Sequence, residues 1–569
     1  MKNRLKCKIF ALTLVLTLLL SLIGCNPDTS SSDSEPSVST SQNQSSASSD
    51  SIDDSSENES VGMSSTKINP LDGEISVEHD TKNTDAAANN GKDEITPLVN
   101  PAGLAYGYVG YAEKEANALR NEILNTPNTE EIYDIKGTKY YISPNGDDAN
   151  SGMSPKEAWK TLDASLNVVL KEGDAILFER DSLYRFYRGY AVKDGITYGS
   201  YGKGRKPMIY GSVQNFAKSN WTPINRKNIW KTSYPHDKTC MEVINQGEII
   251  GRLRSDIRTM ERDGDFYLDE DQSVIYIYCE DGNPSNVWDE IEFGIRSGAF
   301  SLGTRHNNII FDNLAFRYFS GGAVHGTYDC NYITITNCEM GYIGGGYFQG
   351  QTLRAGNGGT TWQGGKGYTW DHNWVYQVFD TALSPQGNGG KLFPYIDISM
   401  SYNLFEYNNC DIEIFEGGGG KSGENIGIWK NLKMDGNIFR FTSLGWGTRA
   451  DDGGIRGIDG VIRGFFATDK NGVRVTSELD NISFCNNIID CPGRFIMNFE
   501  QDEQHVDEWK MSGNKYYVKG SLRWSTTIQQ GWWKGLSGGG YTHDVKDQAT
   551  LETAVKWFDP DAKVIKWYD

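Results

Sequence analysis

The chain has 569 residues, is rich in glycine (64) and in aromatic residues (15 Trp, 30 Tyr, 23 Phe), and carries a formal net charge of −20. This acidity argues against nucleic acid as a partner and mildly against polyanionic substrates, because the long-range field of the protein repels them. The seven cysteines after Cys25 are an odd number without paired CxxC spacing, so neither a disulfide framework nor a zinc site is indicated.

The first 25 residues have the pattern of a targeting signal rather than of a folded segment. A basic start is followed by an apolar run from Ile9 to Ile23, which ends in the sequence LIGC at Cys25. The run is short for a transmembrane anchor and breaks at a small residue, which is typical of a bacterial lipoprotein signal. We therefore expect lipidation at Cys25 and a protein held at the extracellular face of the cell membrane by its N-terminal lipid anchor.

Two segments separate this signal from the main body of the chain. Residues 26–100 begin as a serine-rich, acidic stretch that has little to bury, so we predict a disordered linker. Within residues 101–136, the spacing of Ala, Leu and Ile in "GYAEKEANALRNEILN" predicts a short helix. We expect residues 137–569 to form one large domain.

The beginning of that domain has mixed signals. Residues 139–179 predict a strand, a polar turn, an amphipathic helix with Trp159 and Leu162, and a second strand after Gly173. Further on, "DFYLDEDQSVIYIYCE" predicts a β-hairpin. We therefore expect a β-rich insertion at 205–300.

From about residue 300 the chain repeats a unit of alternating apolar residues, an asparagine and more apolar residues. The asparagines follow one another at spacings of 24, 36, 30, 34, 50 and 27 residues, at Asn313, Asn337, Asn373, Asn403, Asn437, Asn487 and Asn514. The shortest spacing fits one coil of a β-solenoid, and the longer ones fit a coil with inserted loops. Asparagine suits the turns because its amide can bond the backbone or a stacked neighbour. A β-sandwich is the alternative, but its strands would not restart with the same turn residue seven times.

Three sequence features together carry a resemblance to a known group of proteins. "YYISPNGDDANSGMSPKEAWKTL", "GDAILFERDSLYR" and the asparagine repeats resemble the secreted right-handed parallel β-helix proteins of carbohydrate-active bacteria, over roughly residues 137–520. The resemblance implies an all-β, right-handed parallel β-helix catalytic domain with an oligosaccharide or polysaccharide as its partner. That fold hosts lyases, hydrolases and epimerases, so the resemblance leaves the reaction open.

Two acidic clusters lie in the middle repeats. Equivalent positions on neighbouring coils stack about 4.8 Å apart. Asp380, with Gln386 nearby, lies seven residues after the repeat asparagine of its coil, and Asp411 lies eight residues after that of the next, so the two aspartates should be neighbours. Asp411 and Glu413 alternate with isoleucines that can face the core, which lets both carboxylates face out. Stacked acids repel, so we expect a compensating partner: sugar hydroxyls, an arginine or a cation.

The third cluster is the glycine-rich stretch "GWGTRADDGGIRGIDG". Its glycines let the backbone double back, so Asp452 and Asp459 can approach each other although they are seven residues apart. Two carboxylates about 5–5.5 Å apart serve a retaining glycosidase, one as proton donor and the other as nucleophile. Arg449 and Arg456 can keep the nucleophile ionised, and Trp446 can stack on a sugar ring. An acidic surface loop or a calcium loop is the alternative interpretation.

Within the β-helix enzymes, this cluster resembles the lacto-N-biosidase family of glycoside hydrolases, which uses two aspartates seven residues apart in its later coils. The resemblance implies Asp452 as acid/base, Asp459 as nucleophile and release of lacto-N-biose as the reaction. Asp451 adjoins Asp452 and leaves the register of the match open.

Three functions therefore compete. The leading hypothesis is an extracellular, monomeric glycoside hydrolase that cleaves a host or plant glycan without a cofactor. The second is a calcium-dependent polysaccharide lyase of pectate-lyase type, in which Asp380, Asp411 and Glu413 hold Ca²⁺ and Arg449 or Arg456 is the base. The third is a glycan-binding surface lipoprotein without catalytic activity.

Overall fold

The computed structural model describes residues 110–236, 239–347, 354–362, 364–386, 394–416, 428–448, 460–466, 478–493, 495–499, 509–520, 528–533 and 541–568. These residues form a parallel β-helix, in which three long sheets run side by side along the coils. The all-β fold predicted from the repeats is confirmed.

The three sheets are listed here in the order in which their strands pair. Sheet 1 contains Lys139–Ile142, Ala175–Glu179, Thr197–Tyr201, Asn307–Asp312, Asn331–Thr336, Gly365–Thr369, Tyr395–Ser399, Ile428–Lys433, Glu478–Cys485 and Trp509–Ser512. Sheet 2 contains Ile249–Ile250, Thr239–Ile244, Ile291–Ile295, Ala315–Phe319, Glu339–Ile343, Trp374–Val378, Leu404–Glu406, Ile438–Arg440, Ile488–Asp490, Lys515–Lys519 and Val564–Tyr568, with Leu183–Arg185 and Met208–Tyr210 alongside. Sheet 3 contains Tyr190–Ala191, Phe300–Thr304, Val324–Tyr328, Gly359–Trp362, Thr381–Gln386, Cys410–Glu416, Gly460–Phe466, Phe495–Phe499, Ile528–Trp533 and Tyr541–Val545.

The core of the β-helix is built from apolar side chains that repeat from coil to coil. In sheet 1, Ile309 pairs with Ile333, which matches the 24-residue spacing of the repeat. In sheet 2, the ring of Phe439 stacks on Phe405 at 5.1 Å, and across the core it stacks on Phe484 of sheet 1 at 5.8 Å. Full burial of each such side chain stabilises the fold by about 1.5–3 kcal/mol.

The repeat asparagines form a buried ladder between sheets 1 and 2. The Asn403 Oδ1 accepts hydrogen bonds from the backbone N–H and the side-chain amide of Asn373, at 2.8 and 3.1 Å. The same pattern joins Asn403 to Asn437 and continues through Asn487 to Asn514. In these five coils the residue before the asparagine takes the left-handed conformation, as Tyr402 does with φ of 56°. The asparagine therefore serves as a hydrogen-bonding rung, and its neighbour supplies the unusual dihedral.

The predicted N-terminal helix and the predicted insertion are both present. The helices are α1 (Glu113–Leu124), α2 (Thr129–Ile132), α3 (Pro284–Val287) and α4 (Gln548–Phe558). The insertion is a separate sheet of Arg252–Leu253, Asp265–Asp269, Val274–Tyr278, Ile229–Ser233 and Thr222–Pro223. Its hairpin pairs Asp269 with Val274 in antiparallel fashion, as predicted.

The amphipathic helix predicted around Trp159 and Leu162 is absent from this described part of the chain. The segment instead contains two 3₁₀ helices, Pro155–Glu157 and Leu162–Asn167. Trp159 between them is extended, because its N–H donates to the Tyr141 carbonyl at 2.9 Å. Trp159 therefore pairs with the edge of the first strand, although the helical periodicity of its segment predicted a helix. Four further 3₁₀ helices are Phe216–Lys218, Asn245–Gly247, Ile257–Thr259 and Trp446–Thr448.

Helices cover two parts of the solenoid. Helix α1 packs on the outer face of sheet 2, where Arg120 donates to both Glu406 carboxylate oxygens at 2.7 Å. Arg440 binds the same glutamate and Asp490 from the sheet side. Helix α4 adds Leu551 and neighbouring apolar residues to the main core, which covers apolar surface at the C-terminal coils. None of the helices in the described ranges is long and apolar enough to span a bilayer.

Candidate functional site

A row of polar residues runs along sheet 3 from coil to coil. These residues occupy the same register position on consecutive strands: Ser301, His325, Thr360, Ser384, Glu413 and Arg463. The residues beside them in sequence, such as Leu383, Ile412 and Ile462, lie in the hydrophobic core. Side chains alternate along a strand, so the row points away from the core. We call it the sheet 3 row.

Glu413 is the acidic member of the sheet 3 row. Its side chain is 2 % exposed. Its Oε2 accepts hydrogen bonds from Ser384 Oγ at 2.9 Å and Thr381 Oγ1 at 3.4 Å. Its Oε1 lies 3.7 Å from the Arg463 guanidinium, whose side chain is 15 % exposed. Hydroxyls on one side and an arginine on the other therefore compensate the charge, as expected from the sequence.

Asp411 has a different environment from Glu413. It is fully buried at the corner between sheets 2 and 3, where its carboxyl accepts hydrogen bonds from Asn408 Nδ2 and Thr442 Oγ1. Burial raises its pKa to about 8, because hydrogen bonds from two neutral groups only partly offset the desolvation of the charge. Ile412 and Ile414 lie in the core, as predicted, so both carboxylates face away from it. The expectation of an open groove is corrected for Asp411, which is enclosed in the corner by Asn408 and Thr442.

Asp380 lies one coil before these acids, as predicted. Its carbonyl accepts the Cys410 N–H at 3.0 Å, and the next residue, Thr381, pairs with Cys410. The Asp380 side chain is buried. Asp380 and Asp411 therefore lie on neighbouring coils, as the count from the repeat asparagines predicted.

A cleft of about 240 Å³ opens beside the beginning of the sheet 3 row. Its wall includes His325, Thr360, Trp362, Tyr347 and the predicted Gln386. The Gln386 Nε2 donates to Thr360 Oγ1 at 3.2 Å, and that hydroxyl donates to the Ser384 carbonyl at 2.7 Å. Hydrogen bonds therefore lead from the cleft to the residue that binds Glu413. The cleft combines aromatic rings with polar groups, as sugar-binding surfaces do.

Trp446 is not available to stack on a sugar, which corrects its predicted role. Its ring is 1 % exposed, its Nε1 donates to the Gln377 carbonyl at 2.7 Å, and it packs edge-on against Phe379. The guanidinium of Arg354 lies 5.7 Å from the ring centre. Trp446 is a packing element of the corner between sheets 2 and 3.

The remaining predicted residues lie outside the described ranges. These are Cys25, Arg449, Asp452, Arg456 and Asp459. The two described residues that flank the aspartates, Thr448 and Gly460, are both buried. The paired roles of Asp452 and Asp459 therefore stay predictions.

Two of the acids named in the lyase hypothesis already have protein partners in this structure. Ca²⁺ takes six to eight oxygen ligands, mostly ionised carboxylates and carbonyls. Asp411 accepts hydrogen bonds from Asn408 and Thr442, and Glu413 lies 3.7 Å from the Arg463 guanidinium. Across the described ranges, no group of three His, Cys, Asp or Glu side chains is arranged to hold a metal ion.

Two residues of the site were missed at the level of sequence. Arg463 had a usable signal, since the alternation in "GVIRGFF" matches that in "CDIEIFE" and gives Arg463 the same facing as Glu413. His325 had none, because its segment carries no other acid or base with which to form a cluster.

The fold and the row together define a parallel β-helix protein with a polar cleft on one sheet. No family model and no curated protein matches the chain. Among solved structures, it is similar to one titled glycoside hydrolase, with a TM-score of 0.39 and 11 % identity over 74 % of this chain and 98 % of that one. It is also similar to XylC in complex with xylose (TM-score 0.37, 10 % identity, 72 % and 74 % covered). A GH136 lacto-N-biosidase from Eubacterium ramulus gives a TM-score of 0.33 at 12 % identity, over 79 % of this chain and 71 % of that one.

Proposed function

We propose that the protein is a carbohydrate-active enzyme, and specifically a glycoside hydrolase that binds its substrate along sheet 3. The observation that carries the proposal is the sheet 3 row, in which the Glu413–Arg463 pair follows a cleft lined by Trp362 and Tyr347. Aromatic rings bind the apolar faces of sugars, and the polar groups of the cleft can hydrogen-bond sugar hydroxyls.

The catalytic residues of the proposal are Asp452 as acid/base and Asp459 as nucleophile, in a retaining mechanism. One aspartate protonates the leaving oxygen while the other attacks the anomeric carbon, and water then hydrolyses the glycosyl-enzyme. In such a mechanism the two carboxyl groups lie about 5–5.5 Å apart.

The described residues at both ends of the segment support this assignment. Before it, Gly447 lies against the carbonyl of Phe379, next to Asp380, so closely that an added Cβ would be 1.9 Å from that oxygen. After it, Gly460 begins the strand that pairs with Cys410–Glu416.

The substrate of the proposal is a host or plant glycan, and release of lacto-N-biose is its most specific form. The proposal also includes export through the signal, lipidation at Cys25 and action as a monomer on the extracellular face of the membrane. Radiolabelled palmitate incorporation that is lost in Cys25→Ala tests the anchor.

The reaction class is tested by incubating the protein with neutral glycans, aryl glycosides and polygalacturonate, each with and without EDTA. We expect new reducing ends without ultraviolet absorbance from an unsaturated sugar, and no effect of EDTA. An unsaturated product that requires calcium would overturn the hydrolase in favour of the lyase. Binding of a glycan without turnover would leave the non-catalytic lipoprotein as the function.

A further inference from the structure

Arg296 lines the cleft at the beginning of the sheet 3 row, and its guanidinium has no ion pair or hydrogen bond to any described residue. Other arginines in this part of the β-helix are paired. Arg185 binds Glu292 at 2.7 Å, and Arg317 binds Glu339. In a chain with a net charge of −20, an unpaired arginine in a half-enclosed cleft is a charge that still lacks its counter-ion.

The cleft around Arg296 contains no acidic side chain among its described lining residues. Several of those residues are glycines that keep the space open. At Gly356, where φ is +130°, an added Cβ would lie 2.2 Å from the Gly321 carbonyl, so no larger residue fits there. The cleft is thus a small, open space with a positive charge and no internal negative one.

His325 adds a hydrogen-bonding group to the same space. Burial lowers its pKa, so the imidazole is neutral at pH 7 and has one N–H to donate. Within the described part of the chain it has no hydrogen-bond partner. Its Nδ1 lies 3.2 Å from the position of a Cβ added at Gly298, so its ring stands over a glycine in the cleft.

We propose that this cleft is a subsite for a sugar that carries an anionic substituent, a carboxylate or a sulfate. Arg296 supplies the counter-charge and a forked pair of N–H donors, and His325 supplies a further donor. This subsite adds substrate specificity to the proposed function, and it rests on that function because the ligand is taken to be a glycan. It explains how a protein with an acidic surface selects an acidic sugar: the attraction is local and partly desolvated, where screening is weak.

The subsite lies at a defined distance from Glu413. His325 and Glu413 are three register steps apart on the sheet 3 row, which at about 4.8 Å per coil is about 14 Å. The anionic sugar is therefore bound about three coils away from Glu413.

The test is binding of three oligosaccharides of equal length by the full chain, measured by titration calorimetry. The probes are trigalacturonate, a galactose trisaccharide with one 6-sulfate, and neutral galactotriose. We expect a carboxylated or sulfated probe to bind more tightly than the neutral one, with a preference that falls only slightly as salt is raised. The relative affinities of the two acidic probes identify the anion. Arg296→Gln should lower the affinity for the acidic probe about ten- to a hundredfold and leave the neutral one unchanged.

Arg305→Gln is the matched control, because Arg305 is an exposed arginine outside the cleft. It should leave all three affinities unchanged, and His325→Gln should weaken only the acidic probe. Equal binding of acidic and neutral probes, or an Arg296→Gln variant with native folding and unchanged preference, would overturn the subsite. Acidic binding without cleavage of any glycan would instead overturn the proposed hydrolase and leave the subsite standing.

Discussion

Glu413 and Arg463 occupy the same register position on neighbouring strands of sheet 3, with the carboxylate 3.7 Å from the guanidinium. Both strands belong to coils that are 50 residues apart in sequence. The contact therefore ties the acidic centre of the sheet 3 row to the strand that begins directly after Asp459.

This pair should be energetically coupled. Glu413→Gln and Arg463→Gln each remove one charge of this largely buried pair, so each should lower the free energy of unfolding, by at most about 3–5 kcal/mol. The double variant should lose less than the sum, with a coupling energy of about 1–3 kcal/mol. Urea denaturation of the four proteins measures this. Additive losses would show that the two side chains do not interact.

Asp411 should make stability depend on pH. Its folded pKa of about 8 lies above its ordinary value, so the folded state holds the proton more tightly than the unfolded chain. The contribution of Asp411 to the free energy of unfolding is fully present below the pKa of the unfolded chain. It is lost as the pH rises towards and through 8. The free energy of unfolding should therefore fall by at most about 1.4 kcal/mol per pH unit between pH 5 and 8.

Asp411→Asn is the variant that tests this pH dependence. The amide keeps the shape of the neutral acid but cannot ionise. The free energy of unfolding of this variant should therefore depend less on pH between pH 5 and 8. Asp397→Asn is the control, since that aspartate is exposed and should leave the slope unchanged. An Asp411→Asn slope identical to the native one would contradict the assignment.

The asparagine ladder should be sensitive to loss of one rung. Asn437→Ala removes the acceptor for two Asn403 donors and the donor to the Met400 carbonyl, all in the interior. We expect a loss of about 2–5 kcal/mol, because each buried group left unpaired costs about 1–3 kcal/mol. Asn431→Gly on the same coil removes only exposed hydrogen bonds and suits the left-handed backbone there (φ 55°), so a thermal denaturation midpoint close to the native one is expected. Equal effects of the two variants would rule out the ladder as a source of stability.

The fold could be predicted because the ladder imposes the same residue on the five coils from Asn373 to Asn514. A buried amide that bonds its counterpart above and below must recur at each turn, and this recurrence is visible in the sequence. The helix predicted at Trp159 failed for the converse reason. Its pattern fits a helix locally, but pairing with the Tyr141 strand edge was decided by the tertiary fold.

The site was predicted only where the coil length could be counted. Asp380 and Asp411 each follow a repeat asparagine by almost the same distance, so their adjacency could be inferred. Glu413 lies ten residues after Asn403, whereas Arg463 lies 26 after Asn437, because the chain between sheets 2 and 3 is longer in that coil. The count then fails, and only strand alternation relates the two residues. Trp446 was misassigned because burial at a corner leaves no local pattern.

The central claim is tested most directly by the turnover of aspartate variants on a glycan that the native protein cleaves. Asp452→Asn and Asp459→Asn should each lower kcat by about a hundred- to ten-thousandfold with native folding, because each removes a proton donor or a nucleophile. Asp451→Asn, the adjoining acid, should retain native turnover. Full activity in Asp452→Asn or Asp459→Asn would contradict the residue assignment, and its loss in Asp451→Asn alone would move the acid to that position.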